Sequence, residues 1–540
     1  MTYDYVIVGA GSAGCVLANR LSANPDTKVL VLEAGGRDWH PFIHMPAGLA
    51  KLVNNKRINW DYYTEPEPAL AHRRLWWPRG KVLGGSSSIN AMCYTRGVSD
   101  DYDEWAAVTG DPRWSWNSVL PVFKRCEDNT RGADAWHGAG GPLGVADLRY
   151  RNELSGVVIE AAAAAGFARN DDFNGATQEG FGFYQVTQRN GARCSAADAY
   201  LRPALERSRG WATMAATATR GGNLDVVTGA LTTRVLFDGA RAAGVEYRRG
   251  GGVERAEAAC VILAGGAINS PQLLMLSGIG PADHLREHGI AVVHDLPGVG
   301  ANLQDHLDIC TLVRSTQPIT YDKTSDIAVA LEFLFKRSGI GTSNIAEAGG
   351  FVRSRYATDA RCDLQFHFVP ALLDQHGRHR LDGHGYTLHA CALRPKSRGA
   401  IRLKSPDPAV HAEIRPNYLG DAEGNDLAML IEGAKISREI FAQAPFAPYR
   451  GEEIFPGAGA TTDADLETFV RRKAETIYHP VGTCRMGRDD GAVVDSELRV
   501  RGVEGLHVVD ASVMPSLIGG NTNAPTIMIA ERAADLLTSR

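Results

Sequence analysis

The chain has no uninterrupted apolar run of 18 residues, which argues against a membrane-spanning helix. It has no basic excess: 57 lysines and arginines against 62 acids leave a net charge of -5, which gives nucleic acid no footprint. It has no Cys-x-x-Cys pair, and its nine cysteines are an odd number scattered from Cys15 to Cys484. That pattern argues against a disulfide scaffold and against structural zinc. The opening Met1-Thr2-Tyr3-Asp4 has neither the basic cluster nor the long apolar stretch of a secretory signal. Cytoplasmic residence is therefore the default expectation, with peripheral attachment to a membrane left open. No fixed-period repeat is present. Sixteen histidines, among them His379 between two arginines, read as solvated loop, and no metal is expected.

What is present is ordinary globular composition, 44% hydrophobic and 22% charged, in a chain long enough for two to four domains. Asp4–Val8 reads as a buried strand, followed by Gly9-Ala10-Gly11-Ser12-Ala13-Gly14, an apolar helix to Leu21, and a second strand Lys28–Leu32. This is a β-α-β unit of about 30 residues. Glu33 ends it, 19 residues after the last glycine. Alone, Gly-x-Gly-x-x-Gly is a weak signal, but here the context is complete. Glycines let backbone approach a pyrophosphate, the helix start faces its charge, and the carboxylate accepts from a ribose hydroxyl. The unit predicts a dinucleotide site without choosing between FAD and NAD.

Arg79-Gly80-Lys81-Val82-Leu83-Gly84-Gly85-Ser86-Ser87-Ser88-Ile89-Asn90 is a second run of small residues, suited to backbone pressed against a planar or phosphorylated ligand. Trp39–Tyr63 reads as irregular and Pro66–Pro78 as an extended surface segment. Ser155–Gly166 reads as a helix; Phe181–Arg189, Thr228–Phe237 and Ala243–Tyr247 read as strands. Strand, glycine turn and helix recur at Val261–Ala264, Gly265–Pro271 and Gln272–Ser277, which predicts that this strand shares a parallel sheet with the first. Residues 310–475 alternate in polarity at Leu364–Phe368 and Tyr386–Leu393, as expected of an antiparallel sheet with one covered face. Leu427–Phe441 and Asp463–Arg472 read as helices, Gly505–Asp510 as a buried strand. Pro525–Leu537 reads as a helix with proline in its first turn. Between these last two lies Asn521-Thr522-Asn523. Upstream is a His-Pro pair in Tyr478-His479-Pro480-Val481-Gly482-Thr483-Cys484-Arg485-Met486-Gly487.

Four separated segments, Gly9–Glu33, Arg79–Asn90, Gly265–Pro281 and His479–Gly487 with Asn521–Glu531, together resemble the glucose-methanol-choline (GMC) family of flavin oxidoreductases. The resemblance covers essentially the whole chain. It implies an α/β and α+β fold: a discontinuous Rossmann-like FAD domain plus a substrate domain whose antiparallel sheet is covered by helices. The FAD domain is expected in residues 1–155, 220–309 and 476–540, the substrate domain in 156–219 and 310–475. The reaction it implies is oxidation of a primary alcohol (aliphatic, aryl or choline-like) by hydride transfer to flavin N5.

By the same resemblance Gly9, Gly11, Gly14 and Glu33 match the ADP-binding positions, with Ser12, Ala13 and Ala34 beside them. Val235 matches the residue whose backbone meets the adenine. Arg79, Val82, Gly84, Ser88, Asn90, Ala91, Ala264, Gly265, Asp510, Ala511, Asn523 and Pro525 are expected along the rest of the cofactor. The helix beginning at Pro525 would aim its positive end at the flavin, worth roughly 0.3–1 kcal/mol to a reduced, negative ring. His479 matches the catalytic histidine and Asn521 its polar partner. A neutral imidazole takes a hydroxyl proton near pH 7, whereas an asparagine can only hold the oxygen. Ile89 stands where choline oxidase-like members carry a histidine bonded to the flavin, so non-covalent FAD is expected. Glu347 and Trp60 match a carboxylate and an aromatic wall that face a quaternary ammonium in choline-oxidising relatives. The electron acceptor is expected to be a quinone or other carrier. The competing readings are an oxidase that reduces oxygen to peroxide, a hydroxynitrile lyase of the same fold, and a flavin-binding module without catalysis. Sequence leaves the oligomeric state open.

Overall fold

The computed structural model describes residues 2–209, 218–219, 222–321 and 325–539. The boundary expected at 219/220 borders residues 210–217 and 220–221, which lie outside the described residues.

Two sheets organise the chain. In the first, the order is Ala218–Thr219, Leu224–Thr228, Val29–Glu33, Thr2–Val8, Gly252–Leu263, Arg241–Arg249 and Leu231–Asp238, with Leu506–Val508 beside Gly252–Leu263. Thr2–Val8 pairs in parallel with both Val29–Glu33 and Gly252–Leu263 (Tyr5↔Val29, Val6↔Val261), as the repeated strand-turn-helix pattern predicts. Gly252–Leu263 is longer than the sequence suggests because it serves two neighbours. Its first half closes an antiparallel hairpin with Arg241–Arg249, and its second half runs parallel to the first strand. The parallel strands are fully buried at their C-terminal ends, where the helices Ser12–Leu21 and Gly266–Leu276 begin. The second of these starts at Gly266, six residues before the expected Gln272.

The second sheet is antiparallel, in the order Arg450–Phe455, Leu307–Ser315, Gly385–Ala392, Leu364–Val369, Ala348–Val352 and Gly180–Phe183, with Glu475–Thr476 beside Leu307–Ser315. The expectation of one covered face needs correction. Every residue of Leu364–Val369 and Gly385–Ala392 is buried. Alternate residues point at helix Asn425–Ala442, where Gly433 lets Ala390 and Leu364 approach closely. The other alternation carries His367 and His389 to a large internal cavity. The polar residues of the pattern thus face a site, not solvent.

Two further expectations differ. Phe181–Arg189 is two short strands, Gly180–Phe183 and Gln188–Arg189, separated by Tyr184 to Thr187. Pro66–Pro78 is not surface throughout: Trp76–Trp77 pairs with Tyr62–Tyr63, and both tryptophans are buried. All nine cysteines are free thiols.

Candidate active site

The two sheets enclose a cavity of about 860 Å³, in the size range of a cofactor-plus-substrate site. One end is built from the glycine loop. A Cβ at Gly9 would meet the Ala264 carbonyl at 2.6 Å, and one at Gly14 would meet the Gly9 carbonyl at 1.9 Å, so only glycine permits this approach of loop, strand and helix. Gly11, Ser12 and Ala13 line the wall, and the helix Ser12–Leu21 presents its unpaired N–H groups there. Glu33 accepts from the Ala10 and Gly35 amides (2.9 and 2.8 Å), and burial pushes its carboxyl up to about 7. Asp510 accepts from Gly266 N, Ser270 Oγ, Ser512 N and Ser512 Oγ, which fixes it beside the start of Gly266–Leu276. The C-terminal helix begins at Asn523, two residues before the expected Pro525, and Asn521, Thr522, Asn523 and Thr526 reach the cavity. Ser12 Oγ donates to Asn523 Oδ1 at 2.7 Å and ties this helix to the glycine loop. Three helix starts therefore converge on one wall, a donor set suited to a dinucleotide pyrophosphate and a ring that becomes negative.

Gly9, Gly11, Ser12, Ala13, Glu33, Ala34, Arg79, Asn90, Ala91, Ala264, Gly265, Asp510, Ala511, Asn521 and Asn523 all stand on the cavity wall. Six expected cofactor positions stand behind it. Gly14 packs on Gly9, as above. Val82 is in a small apolar cluster with Ile43, Leu52, Ile58 and Ile89. Gly84 needs its positive φ of 85° to turn the chain, and Ser88 Oγ is spent on the Leu83 carbonyl. Pro525 is buried in the first helical turn. The Val235 amide donates to Ser277 Oγ at 2.8 Å, and the wall residues nearby are Ala230, Leu231 and Thr232.

At the other end, His479 Nδ1 lies 2.9 Å from His306 Nδ1, and His306 Nε2 lies 3.2 Å from the Leu393 carbonyl. Burial holds His306 down to about 3, so it is neutral. A carbonyl only accepts, so the His306 proton is on Nε2 and its Nδ1 has a lone pair. His479 must then donate from Nδ1, which leaves its Nε2 as the lone pair. Asn521 reaches the same conclusion from the opposite side. Its Oδ1 accepts from Thr95 Oγ1 and Gln365 Nε2, both 3.1 Å away, so its Nδ2 faces His479 Nε2 at 3.2 Å. Burial, with the nearby His306, His367 and Arg79, pushes His479 well below the usual imidazole range.

The backbone before His479 is held firmly. Tyr478 has φ +71°, a left-handed conformation costing about 1–3 kcal/mol in a non-glycine residue. Its amide donates to Thr476 Oγ1 (2.8 Å), its carbonyl accepts from Arg79 Nη2 (2.7 Å), and His479 N donates to Asp305 Oδ1 (2.7 Å). Asp305 also takes Thr476 Oγ1 and Tyr418 Oη, and burial pushes its carboxyl up to about 6. Arg79, expected at the cofactor, thus also braces the backbone before His479. His306, Asp305, Thr95 and Gln365 were not legible in advance: Gln304-Asp305-His306 has no spacing relation to His479, 173 residues on.

The substrate-end expectations divide. Trp60 is on the wall, stacked on Tyr62. Glu347 is not. It is fully buried and accepts from Asn152 N (2.6 Å), Ser155 Oγ (2.8 Å), Ser343 Oγ (2.6 Å) and the Tyr321 hydroxyl. Four donors use up the lone pairs of a carboxylate. This carboxylate holds the fold and does not face a ligand.

A dinucleotide cradle that opens directly onto a neutral, oriented imidazole defines a flavoprotein oxidoreductase with a discontinuous cofactor domain. The comparisons give the family. The chain belongs to the GMC oxidoreductases, whose N-terminal and C-terminal family profiles match residues 3–308 and 395–530. It is 50% identical to the alcohol dehydrogenase [acceptor] of Pseudomonas putida, over 100% of this chain and 96% of that one. It is 46% identical to the mitochondrial choline dehydrogenase of Homo sapiens, covering 99% and 89%. A solved variant of the formate oxidase of Aspergillus oryzae, studied for its FAD modification, superposes with a TM-score of 0.91 at 25% identity, covering 100% and 98%. Family and structural relatives support FAD as the cofactor and an alcohol-type dehydrogenase as the activity. No helix among the described residues is long and apolar enough to cross a membrane.

Proposed function

We propose that this chain oxidises an uncharged aliphatic primary alcohol to the aldehyde, with His479 as the proton acceptor. The observation that carries the reading is the fixed lone pair on His479 Nε2 beside Asn521 Nδ2. An alcohol hydroxyl is one donor and one acceptor. Inserted between the two groups it donates to Nε2 and accepts from Nδ2. As the proton moves to Nε2, electron density builds on the α-carbon and the α-hydride becomes a better leaving group. FAD, which the three helix starts and Glu33 would hold, would supply the hydride acceptor.

The substrate class follows from what faces the chamber. Ile345, Ala346, Val369, Ala371, Leu373 and Ile477 form one apolar wall. Among the described wall residues the carboxylates are Glu33 and Asp510 at the cofactor end and Asp326 at the mouth, paired with Lys51. None is placed to meet a trimethylammonium, and Glu347 is fully engaged elsewhere. An alkyl chain fits better than choline. In an anaerobic alcohol series, bleaching of the flavin is expected to be fastest with medium-chain alkanols and slower by about tenfold or more with choline. Choline bleaching as fast as any alkanol would overturn the substrate reading, and no bleaching by any alcohol would overturn the reaction. Peroxide release under air separates an oxidase from a dehydrogenase passing electrons to a quinone or other carrier.

Ile89 lies on the cavity wall in an apolar cluster and offers no nucleophile, which supports non-covalent FAD. Acid precipitation should leave a colourless pellet and a yellow supernatant; a yellow pellet contradicts it.

A further inference from the structure

Of the ten large hydrophobic side chains exposed among the described residues, four belong to one helix, Asp326–Lys336. Ile327, Leu331, Leu334 and Phe335 are 73, 50, 63 and 77% exposed. Their spacing (i, i+4, i+7, i+8) puts them on one outward stripe, while Phe333 is buried beneath. The other six exposed hydrophobics are scattered through the chain and require no explanation.

This helix forms part of the cavity mouth: Ile327, Val329, Ala330 and Leu331 line it. Its segment is pinned at both ends. Tyr321 before it and Ser343 after it both donate to the buried Glu347 carboxylate. Glu347, unavailable to a ligand, thus fixes the base of an apolar projection at the substrate's way in.

We infer that this helix docks on the hydrocarbon surface of a lipid bilayer, lying in its interface, so that the alcohol passes from lipid into the chamber. The stripe, from Ile327 to Phe335, is about 12 Å long and one side chain wide. At these exposures its four residues offer on the order of 500 Å², below the roughly 800 Å² per partner of a stable protein interface. A second copy of the chain would therefore hold weakly here. It would also seal the mouth, because Ile327 and Leu331 belong to the stripe and to the cavity wall at once. Fluid hydrocarbon covers the stripe and leaves the mouth passable. The flanking charges nearly balance, two acids (Asp326, Glu332) against Lys51, Lys336 and Arg337, and Lys51 pairs with Asp326. Attachment is therefore carried by apolar contact and does not require anionic lipid. The docking itself is independent of which alcohol is oxidised; only the substrate's route rests on the proposed function.

Flotation of the FAD-loaded full chain with phosphatidylcholine vesicles, with and without phosphatidylglycerol, tests this. The parent protein should float with both. The double variant Leu334→Ser/Phe335→Ser should lose about tenfold or more of its bound fraction. It should keep its FAD and its rate with a short, water-soluble alcohol, since neither residue touches the cavity. Val253→Ser, at a side chain 61% exposed elsewhere, should float like the parent. Parent protein that stays at the bottom with both vesicles overturns the proposal. So does a double variant that floats as well as the parent. A parent dimer that becomes a monomer in the double variant identifies the stripe as a protein contact and also overturns it.

Discussion

His479→Ala is expected to slow alcohol-driven flavin reduction by about 100-fold or more while leaving FAD bound at full stoichiometry. The separation is structural. The cofactor cradle is built by Gly9–Ala13, Glu33, Gly265–Ala267 and the start of the C-terminal helix, whereas His479 contributes its ring to the substrate end. Stopped-flow bleaching under anaerobic conditions reads the chemical step directly; loss of flavin from the variant, or a rate within a few-fold of the parent, would contradict the assignment. The pH dependence adds an independent check. Burial disfavours the charged imidazole, so its proton binds only at a pH well below the ordinary value. The free base therefore persists as pH falls through that value, and kcat/KM for flavin reduction should stay flat from about pH 8 to pH 6. A tenfold fall per unit beginning near 6.5 would mean that His479 titrates as if exposed.

His306→Leu should also cost about 100-fold or more in kcat, without contact to substrate or cofactor. His306 is a positioning residue. Its Nδ1 lone pair obliges His479 to keep a proton on Nδ1, and the Leu393 carbonyl obliges His306 to keep its own on Nε2. Leucine leaves the His479 Nδ1–H unpaired in a dry site, at a cost of about 1–3 kcal/mol. The ring escapes that cost by moving its proton to Nε2, the atom that has to accept the substrate's. KM should change little, since the chamber walls are untouched. His306→Gln distinguishes this from simple damage, because a glutamine offers an acceptor toward His479 and a donor toward Leu393 together. Recovery of much of the rate by glutamine supports the relay; a glutamine variant as slow as the leucine variant refutes it.

Much of this was open to sequence reading where chemistry is local. Gly9–Glu33 needs only neighbours in the chain to make a strand, a turn without side chains and a helix start, so loop, helix and acid were legible together. Val261–Pro271 repeated that grammar and correctly foretold a second parallel strand. His479 and Asn521 were identified by resemblance, and the structure brings them to 3.2 Å. The misreadings share one cause, which is that burial comes from partners distant in the chain. Leu364–Val369 alternates as a half-exposed strand would, but its polar face meets the cavity. Glu347 looks like a ligand-facing carboxylate until Asn152, Ser155, Tyr321 and Ser343 surround it.

By itself, then, the sequence pointed to the kind of chemistry: a dinucleotide loop from residue type and short spacing, and, by resemblance to the family, a histidine with an asparagine partner. The tertiary structure alone decided which nitrogen of His479 keeps its lone pair, what braces the ring, and which carboxylates line the cavity. Each of those is settled by hydrogen bonds between segments as much as 426 residues apart, where a proton's position depends on partners that chain order does not reveal.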